Sequence, residues 1–151
     1  MSWTGTLNTE LQVSFQRVFS GAPWESTVGY CRALRAGDRI FVTGCAPVAD
    51  DGSVYAPGHA YAQTVRCIEI IRDALEGLGA GLSDVTRTRM FVTDIERWQD
   101  VGRAHGQFFG AHPPATTMVE VRRLIDPDML IEIEADAVLV EGPAQGGSAL
   151  V

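Results

Sequence analysis

No apolar run in the 151 residues approaches the ~20 needed to cross a bilayer, and the opening stretch MSWTGTLNTELQVSF has no basic region leading into an apolar one. The expectation is a soluble, cytoplasmic protein without a membrane partner. Cysteine is scarce: Cys31, Cys45 and Cys67 are odd in number and have neither paired nor metal-ligand spacing. That excludes a disulfide framework, fits a reducing compartment, and leaves them as expected buried thiols. Three histidines, His59, His105 and His112, stand at no ligand spacing with one another, with Cys or with an acid pair, so no metal site is expected and each reads as a surface or helix-end residue. The Asp50-Asp51-Gly52 run lacks the spacing and the closing Glu of a calcium loop. Clustered positive charge is also missing. A formal charge of −7 and a pI of about 4.8 argue against binding a phosphate backbone, and nucleic acid is not an expected partner.

What is present is apolar surface. With 46% hydrophobic residues, the chain can bury a continuous core as one domain. Its organising stretch is Pro113 to Leu139, PPATTMVEVRRLIDPDMLIEIEADAVL. Thr117, Val119 and Val121 alternate as an apolar or β-branched face, then Met129, Ile131, Ile133, Ala135, Ala137 and Leu139 alternate as a second, and one face of each strand is expected in the core. Glu132, Glu134 and Asp136 occupy the intervening positions, on one strand face at roughly 7 Å spacing. A solvated antiparallel edge would account for them; so would a site.

Taken in order, residues 11 to 19 alternate through Leu11, Val13, Phe15 and Phe19 as a first strand after a polar arm, and Ser20-Gly21-Ala22-Pro23 ends it. Trp24 and Glu25 sit in a segment too short for a helix. Tyr30 to Arg35 and Asp38 to Gly44 form an expected hairpin across Gly37-Asp38. Residues 46 to 58 are turn formers and make a long loop. Val65, Ile68, Ile71, Leu75 and Leu78 then recur at helical spacing up to Gly77 or Gly79. Ser83 to Thr93 is a strand with Thr86, Thr88, Met90 and Val92 on one face and Val85, Arg87, Arg89, Phe91 and Thr93 on the other. Asp94 is an expected N-cap for a second helix marked by Trp98, Val101, Ala104, His105 and Phe108 and stopped at Gly110. The order β-β-β-α-β-α-β-β puts two helices on one face of a mixed six-stranded sheet, an α+β domain over residues 11–141 between an arm at 1–10 and a flexible tail at 142–151. The second sheet face has no cover, and association is the usual remedy.

AGDRIFVTG, the lead-in at Tyr30, SDVTRTRMFVTD, HPPATTMVEV and IEIEA together resemble the Rid family (reactive intermediate deaminases, also called the YjgF family) from about Ala22 to Leu139. The resemblance implies a chorismate-mutase-like fold, with the last strand inside the sheet beside the third and fourth. It also implies a homotrimer with a central barrel, and small-molecule substrates in intersubunit clefts, without a cofactor. Well-studied members hydrolyse enamines and imines derived from amino acids, with the first Glu of the IEIEA strand orienting water. That position is Glu132. Their substrate carboxylate is held by an arginine after Pro-Ala, where this chain has Thr116, so it is similar to a divergent member lacking the clamp. Loss of a charge-assisted contact of ~1.5–3 kcal/mol weakens a carboxylate ligand roughly ten- to a hundredfold.

The resemblance further places Tyr30, Thr43 beside Gly44, Thr116, Thr117 and Met118 in the cleft. For each, a packed strand residue is the alternative. Trp24 and Glu25 either rim the cleft or staple the N-terminus to the domain. Arg89, on a face with Phe91, is a candidate replacement for the missing clamp; the alternative is an ion pair with Glu120 or another acid. The leading functional expectation is a metal-free hydrolase of an enamine, imine or aminomuconate-like intermediate with Glu132 as the water-activating group. A non-catalytic trimeric binding or protein-interacting module is the alternative. RNA cleavage ranks last.

Overall fold

The computed structural model describes residues 14–141, so the expected arm, Leu11 and Val13 of the first strand, and the tail 142–151 lie outside the described residues. Six strands form one sheet: β1 Phe15–Val18, β2 Ala33–Ala36, β3 Arg39–Cys45, β4 Val85–Val92, β5 Ala115–Glu120 and β6 Ile131–Val138, in the order β1-β2-β3-β6-β4-β5. β4 and β5 are parallel and every other neighbouring pair is antiparallel. The helices α1, Ala60–Glu76, and α2, Trp98–Phe109, carry the two crossovers that parallel strands require. The first crossover leaves a gap between β3 and β4. β6 fills it, so the last strand is central although it comes last in the chain.

α1 contains no glycine or proline between Ala60 and Glu76 and buries Cys67, Ile68, Ile71, Ala74 and Leu75 against β3 and β6. Each large side chain among them contributes roughly 2–3 kcal/mol by leaving water. Gln63 on the same face is fully buried and satisfied: it donates to Asp128 O at 2.8 Å and accepts from Leu130 N at 2.8 Å. This fixes the entry of the chain into β6. The Asp94 carboxylate accepts from Glu96 N at 3.1 Å, capping a short 3₁₀ turn, Ile95–Arg97, that runs into α2.

Several expected faces differ. In β1 the odd residues Phe15 and Phe19 are exposed, and Val18 is the residue that packs against the core. Trp24 and Glu25 lead into a single π-helical turn, Glu25–Gly29, where no helix was expected, and β2 starts at Ala33, not Tyr30. On β4, Thr88, Met90 and Val92 face the core as one set, but an irregularity between Val85 and Arg87 turns Val85 inward and leaves Thr86 exposed. Trp98 is exposed on α2, and Phe109 rather than Phe108 is fully buried. β5 is an edge strand whose odd residues lie on the sheet face without helices, so Thr117 and Val119 are exposed and only Met118 packs partly against the core. That open face also carries Phe41, 47% exposed, and the three acids of β6, while Ile131, Ile133, Ala135 and Ala137 point to the helices.

Candidate functional site

The pairing of β3 with β6 is interrupted between Val42 and Cys45, where Thr43 and Gly44 together span one residue of the partner strand. Such a bulge re-aims side chains. The Thr43 hydroxyl donates to Cys31 O at 2.7 Å, and the Gly44 carbonyl accepts from Arg32 Nη1 at 3.0 Å. Gly44 has no Cβ, and the Glu132 carboxyl group occupies that space: a Cβ there would collide with Oε1 and lie 3.0 Å from Cδ. A side chain at this position would push the Glu132 carboxyl group, the far end of a flexible side chain, out of its present place. Across the other edge of β6, Glu132 stands opposite Phe91.

Glu132 is half-buried, and no side-chain or backbone donor among the described residues hydrogen-bonds to it. Burial pushes its pKa above the ordinary carboxylate value, Arg32 opposes the rise and Glu134 adds to it. An unpartnered carboxylate with a raised pKa can take a proton from water near neutral pH.

Arg32, which the sequence reading passed over as part of a strand, is the cation of this site. Its side chain is 12% exposed, and its guanidinium lies 5.7 Å from the Tyr30 ring centroid and contacts Cys45 Sγ at 3.6 Å. Its Nε is buried without a hydrogen bond, 3.8 Å from Glu25 Oε1. Glu25 is 5% exposed and accepts from Ser20 N at 2.9 Å, Ser20 Oγ at 2.7 Å and Gly21 N at 3.2 Å. Burial raises its pKa, but these donors and Arg32 outweigh burial and hold it below the ordinary value. Two carboxylates thus flank one arginine with their pKa values pushed in opposite directions, an arrangement that separates a fixed counter-charge from a group able to exchange a proton. Cys45 stays a neutral thiol, its pKa raised by burial to about 11 despite Arg32. The signal for Arg32 in the sequence was an arginine directly before Ala33, the first inward-facing residue of its strand.

The expected site residues fall into two groups. Tyr30, Thr43, Gly44, Phe91 and Glu132 gather around Arg32 and the bulge. Arg89 lies on the same open face, one pair further along, and is held by Glu134 Oε1 and Asp136 Oδ2, each at 3.2 Å. The ion-pair alternative describes it, with Glu134 and Asp136 in place of Glu120. Thr116 and Met118 point the other way, to the helix-covered side at the sheet edge, where Thr116 Oγ1 is 2.8 Å from Thr88 Oγ1; Thr117 shares the open face opposite Arg89 in register. Within one chain Arg89 and Thr116 therefore lie on opposite faces of the sheet. His105, expected at a surface or helix end, instead lies within α2, half-buried with Nε2 2.8 Å from Thr88 Oγ1. Among the described residues no group of three His, Cys, Asp or Glu side chains could hold a metal ion, and no helix is long and apolar enough to cross a membrane.

The family model described as Endoribonuclease L-PSP matches residues 20–139. An uncharacterized protein of Streptomyces coelicolor is 36% identical over 122 residues, 81% of this chain and 90% of that one. The 3-aminoacrylate deaminase RutC of Acinetobacter baylyi is 32% identical over 108 residues, 72% of this chain and 85% of its own length. Among solved structures, Rv2704 of Mycobacterium tuberculosis, a member of the YjgF/YER057c/UK114 family, superposes with a TM-score of 0.76 at 47% identity, covering 83% of this chain and all of that one. Matched in sequence along nearly the whole described domain and in the β6-centred sheet that carries Glu132, this chain belongs to the Rid (YjgF) family.

Proposed function

We propose that this protein hydrolyses a small enamine or imine, with Glu132 activating the attacking water. The observation that carries the reading is the Glu132 carboxylate itself: half-buried above Gly44, raised in pKa, and without a hydrogen-bonding partner among the described residues. An enamine is first protonated at its β-carbon, and an imine at nitrogen, to give the iminium form; water then adds to the C=N carbon as Glu132 takes one of its protons, and Glu132 returns that proton to nitrogen as the carbinolamine collapses to a carbonyl compound and ammonium. Arg32 keeps part of the carboxylate population ionised and offers positive charge to oxygen as it develops negative charge. The chain contains no lysine, so the C=N bond belongs to the substrate and is not made with a side-chain amine.

The exposed Phe41 and Val119 on a sheet face without helices support assembly of three copies over that face. In such an assembly the edge strand of one copy, with Thr116 and Thr117, completes the cleft around Glu132 of its neighbour. Thr116 at the clamp position and Arg89 already paired with two acids both favour a substrate without an amino-acid carboxylate. The same two features also favour a second reading, a trimeric binding module without turnover. RNA cleavage is disfavoured by the charge of −7.

The deciding measurement is ammonia release from 3-aminoacrylate, the compound named for the Acinetobacter relative, and from imines generated by an amino-acid oxidase. Accelerated release by the wild-type protein and not by Glu132→Gln is expected, with slow turnover of the carboxylate-bearing imines. Binding of these compounds without release above the buffer rate assigns the protein to the binding module.

A further inference from the structure

On the helix-covered side of the sheet, the Thr116 hydroxyl is the outer end of a line of hydrogen bonds. Thr88 of β4 is fully buried, and its Oγ1 lies 2.8 Å from both His105 Nε2 and Thr116 Oγ1. Thr116 is exposed on the edge strand, and its hydroxyl is only 3.4 Å from Pro114 O, a long and weak hydrogen bond beside the 2.8 Å contact with Thr88. A threonine hydroxyl has one proton to give. Thr88 can therefore donate to only one of its two neighbours, and the tautomer of the imidazole sets the direction of the line.

Burial lowers the pKa of His105 from its ordinary value and is the only cause of the shift, so the ring is neutral at pH 7 to 8. The ionisable groups on the surrounding elements are engaged elsewhere: Asp100 and Arg103 pair on α2 itself, Arg103 also lies over Tyr61 of α1, and Asp84 before β4 accepts from Gly81 N. An unprotonated imidazole nitrogen accepts a hydrogen bond more strongly than a hydroxyl oxygen does. With the ring proton on Nδ1, the order is Thr116 donating to Thr88 and Thr88 donating to His105. Thr116 is then left with lone pairs, and no proton, facing outward.

We propose that His105 and Thr88 are positioning residues that hold the Thr116 hydroxyl as a hydrogen-bond acceptor at the rim of the site, selecting a neutral N–H group, such as an amide, ureido or amino nitrogen, in place of a carboxylate. This deepens the proposed function and rests on its placement of Thr116 in the cleft. A carboxylate offers only acceptors and meets another acceptor there. An N–H donor finds a partner. Protonating His105 reverses the line and turns Thr116 into a donor, so the preference weakens in acid.

The test uses full-length protein with ring-15N histidine and two isosteric probes, propionamide and propionate. At pH 8 the His105 Nε2 resonance is expected at the position of an unprotonated nitrogen, taking up its proton only below pH 6.5. Propionamide is expected to perturb the amide resonance of Thr116 at pH 8, with affinity lowered about fivefold in Thr116→Val and again as His105 titrates. Propionate is expected to bind more weakly than propionamide. Thr116 is exposed, so its variant keeps the fold; Thr88→Val provides a second readout by moving the His105 titration. A protonated Nε2 at pH 8, propionate binding as tightly as propionamide, or unchanged propionamide affinity in Thr116→Val overturns the proposal. Ammonia release separates the two failures: a protein that passes these tests but hydrolyses nothing loses the hydrolase reading alone, and one that hydrolyses with Nε2 protonated loses this proposal alone.

Discussion

The carboxyl group of Glu132 fills the space above the Gly44 α-carbon that a side chain at position 44 would occupy. Gly44→Ala is therefore expected to displace the Glu132 carboxyl group, costing about 1 kcal/mol of stability or less but most of any hydrolytic activity. The coupling is testable by a double-mutant cycle: in a Glu132→Ala background the same alanine should cost at least about 0.5 kcal/mol less in urea melts. Equal costs in both backgrounds would separate the two residues.

Glu132→Gln should abolish ammonia release while raising stability at pH 7. The sign follows from linkage: a carboxyl group whose pKa is raised on folding disfavours the folded state once ionised, so its stability cost appears as pH climbs from 4.5 through the raised value. The gain in the variant, about 1 kcal/mol or less given the partial exposure of Glu132, should be largest near pH 7 and vanish below pH 4 in thermal melts.

Glu25 works in the opposite sense. Its pKa is lowered on folding, so its contribution is present above the unfolded value of 4.5 and is lost as pH falls through the lowered one. Glu25→Ala should cost about 3 kcal/mol at pH 7, since it removes one of the two carboxylates flanking Arg32 and leaves three donors from Ser20 and Gly21 without their acceptor. The deficit relative to wild type should narrow in acid.

Thr116→Arg should raise turnover of amino-acid-derived imines about tenfold or more by adding a charge-assisted contact for their carboxylate. Arg89→Ala, by contrast, should change stability by less than about 1 kcal/mol, because its pairs with Glu134 and Asp136 are about 40% exposed on the arginine side. Steady-state kinetics of Thr116→Arg and urea melts of Arg89→Ala check this pair of outcomes.

The assembly can be weighed directly. Sedimentation of the wild type at micromolar concentration should give a trimer, and Val119→Asp, which charges the exposed β5 face, should shift it toward monomer.

Much of the fold was legible in local pattern. The odd residues of β6 predicted the buried set Ile131, Ile133, Ala135 and Ala137, and the spacing in α1 predicted Ile68, Ile71 and Leu75, because a single period placed each on one face of one element. Pattern failed where the alternating face had nothing packed over it. Thr117 and Val119 alternate like core residues, yet β5 is an edge strand and their face has no helix over it, which only sheet order reveals.

The sequence by itself determined the family and its signature residue: Glu132 could be named because the IEIEA strand and its Pro-Ala lead-in are contiguous text. What surrounds Glu132 was decided by tertiary structure. Gly44 and Arg32 reach it from about ninety and a hundred residues away in the chain, beside a bulge that no periodicity announces, and Glu25 is drawn in by a turn that buries it behind Arg32. The line from His105 to Thr116 likewise joins a helix and two strands through one buried hydroxyl. Local propensity fixes which way a residue faces along its own element; the partners of a buried charge or hydroxyl are set by which elements pack together, and that is a property of the whole chain.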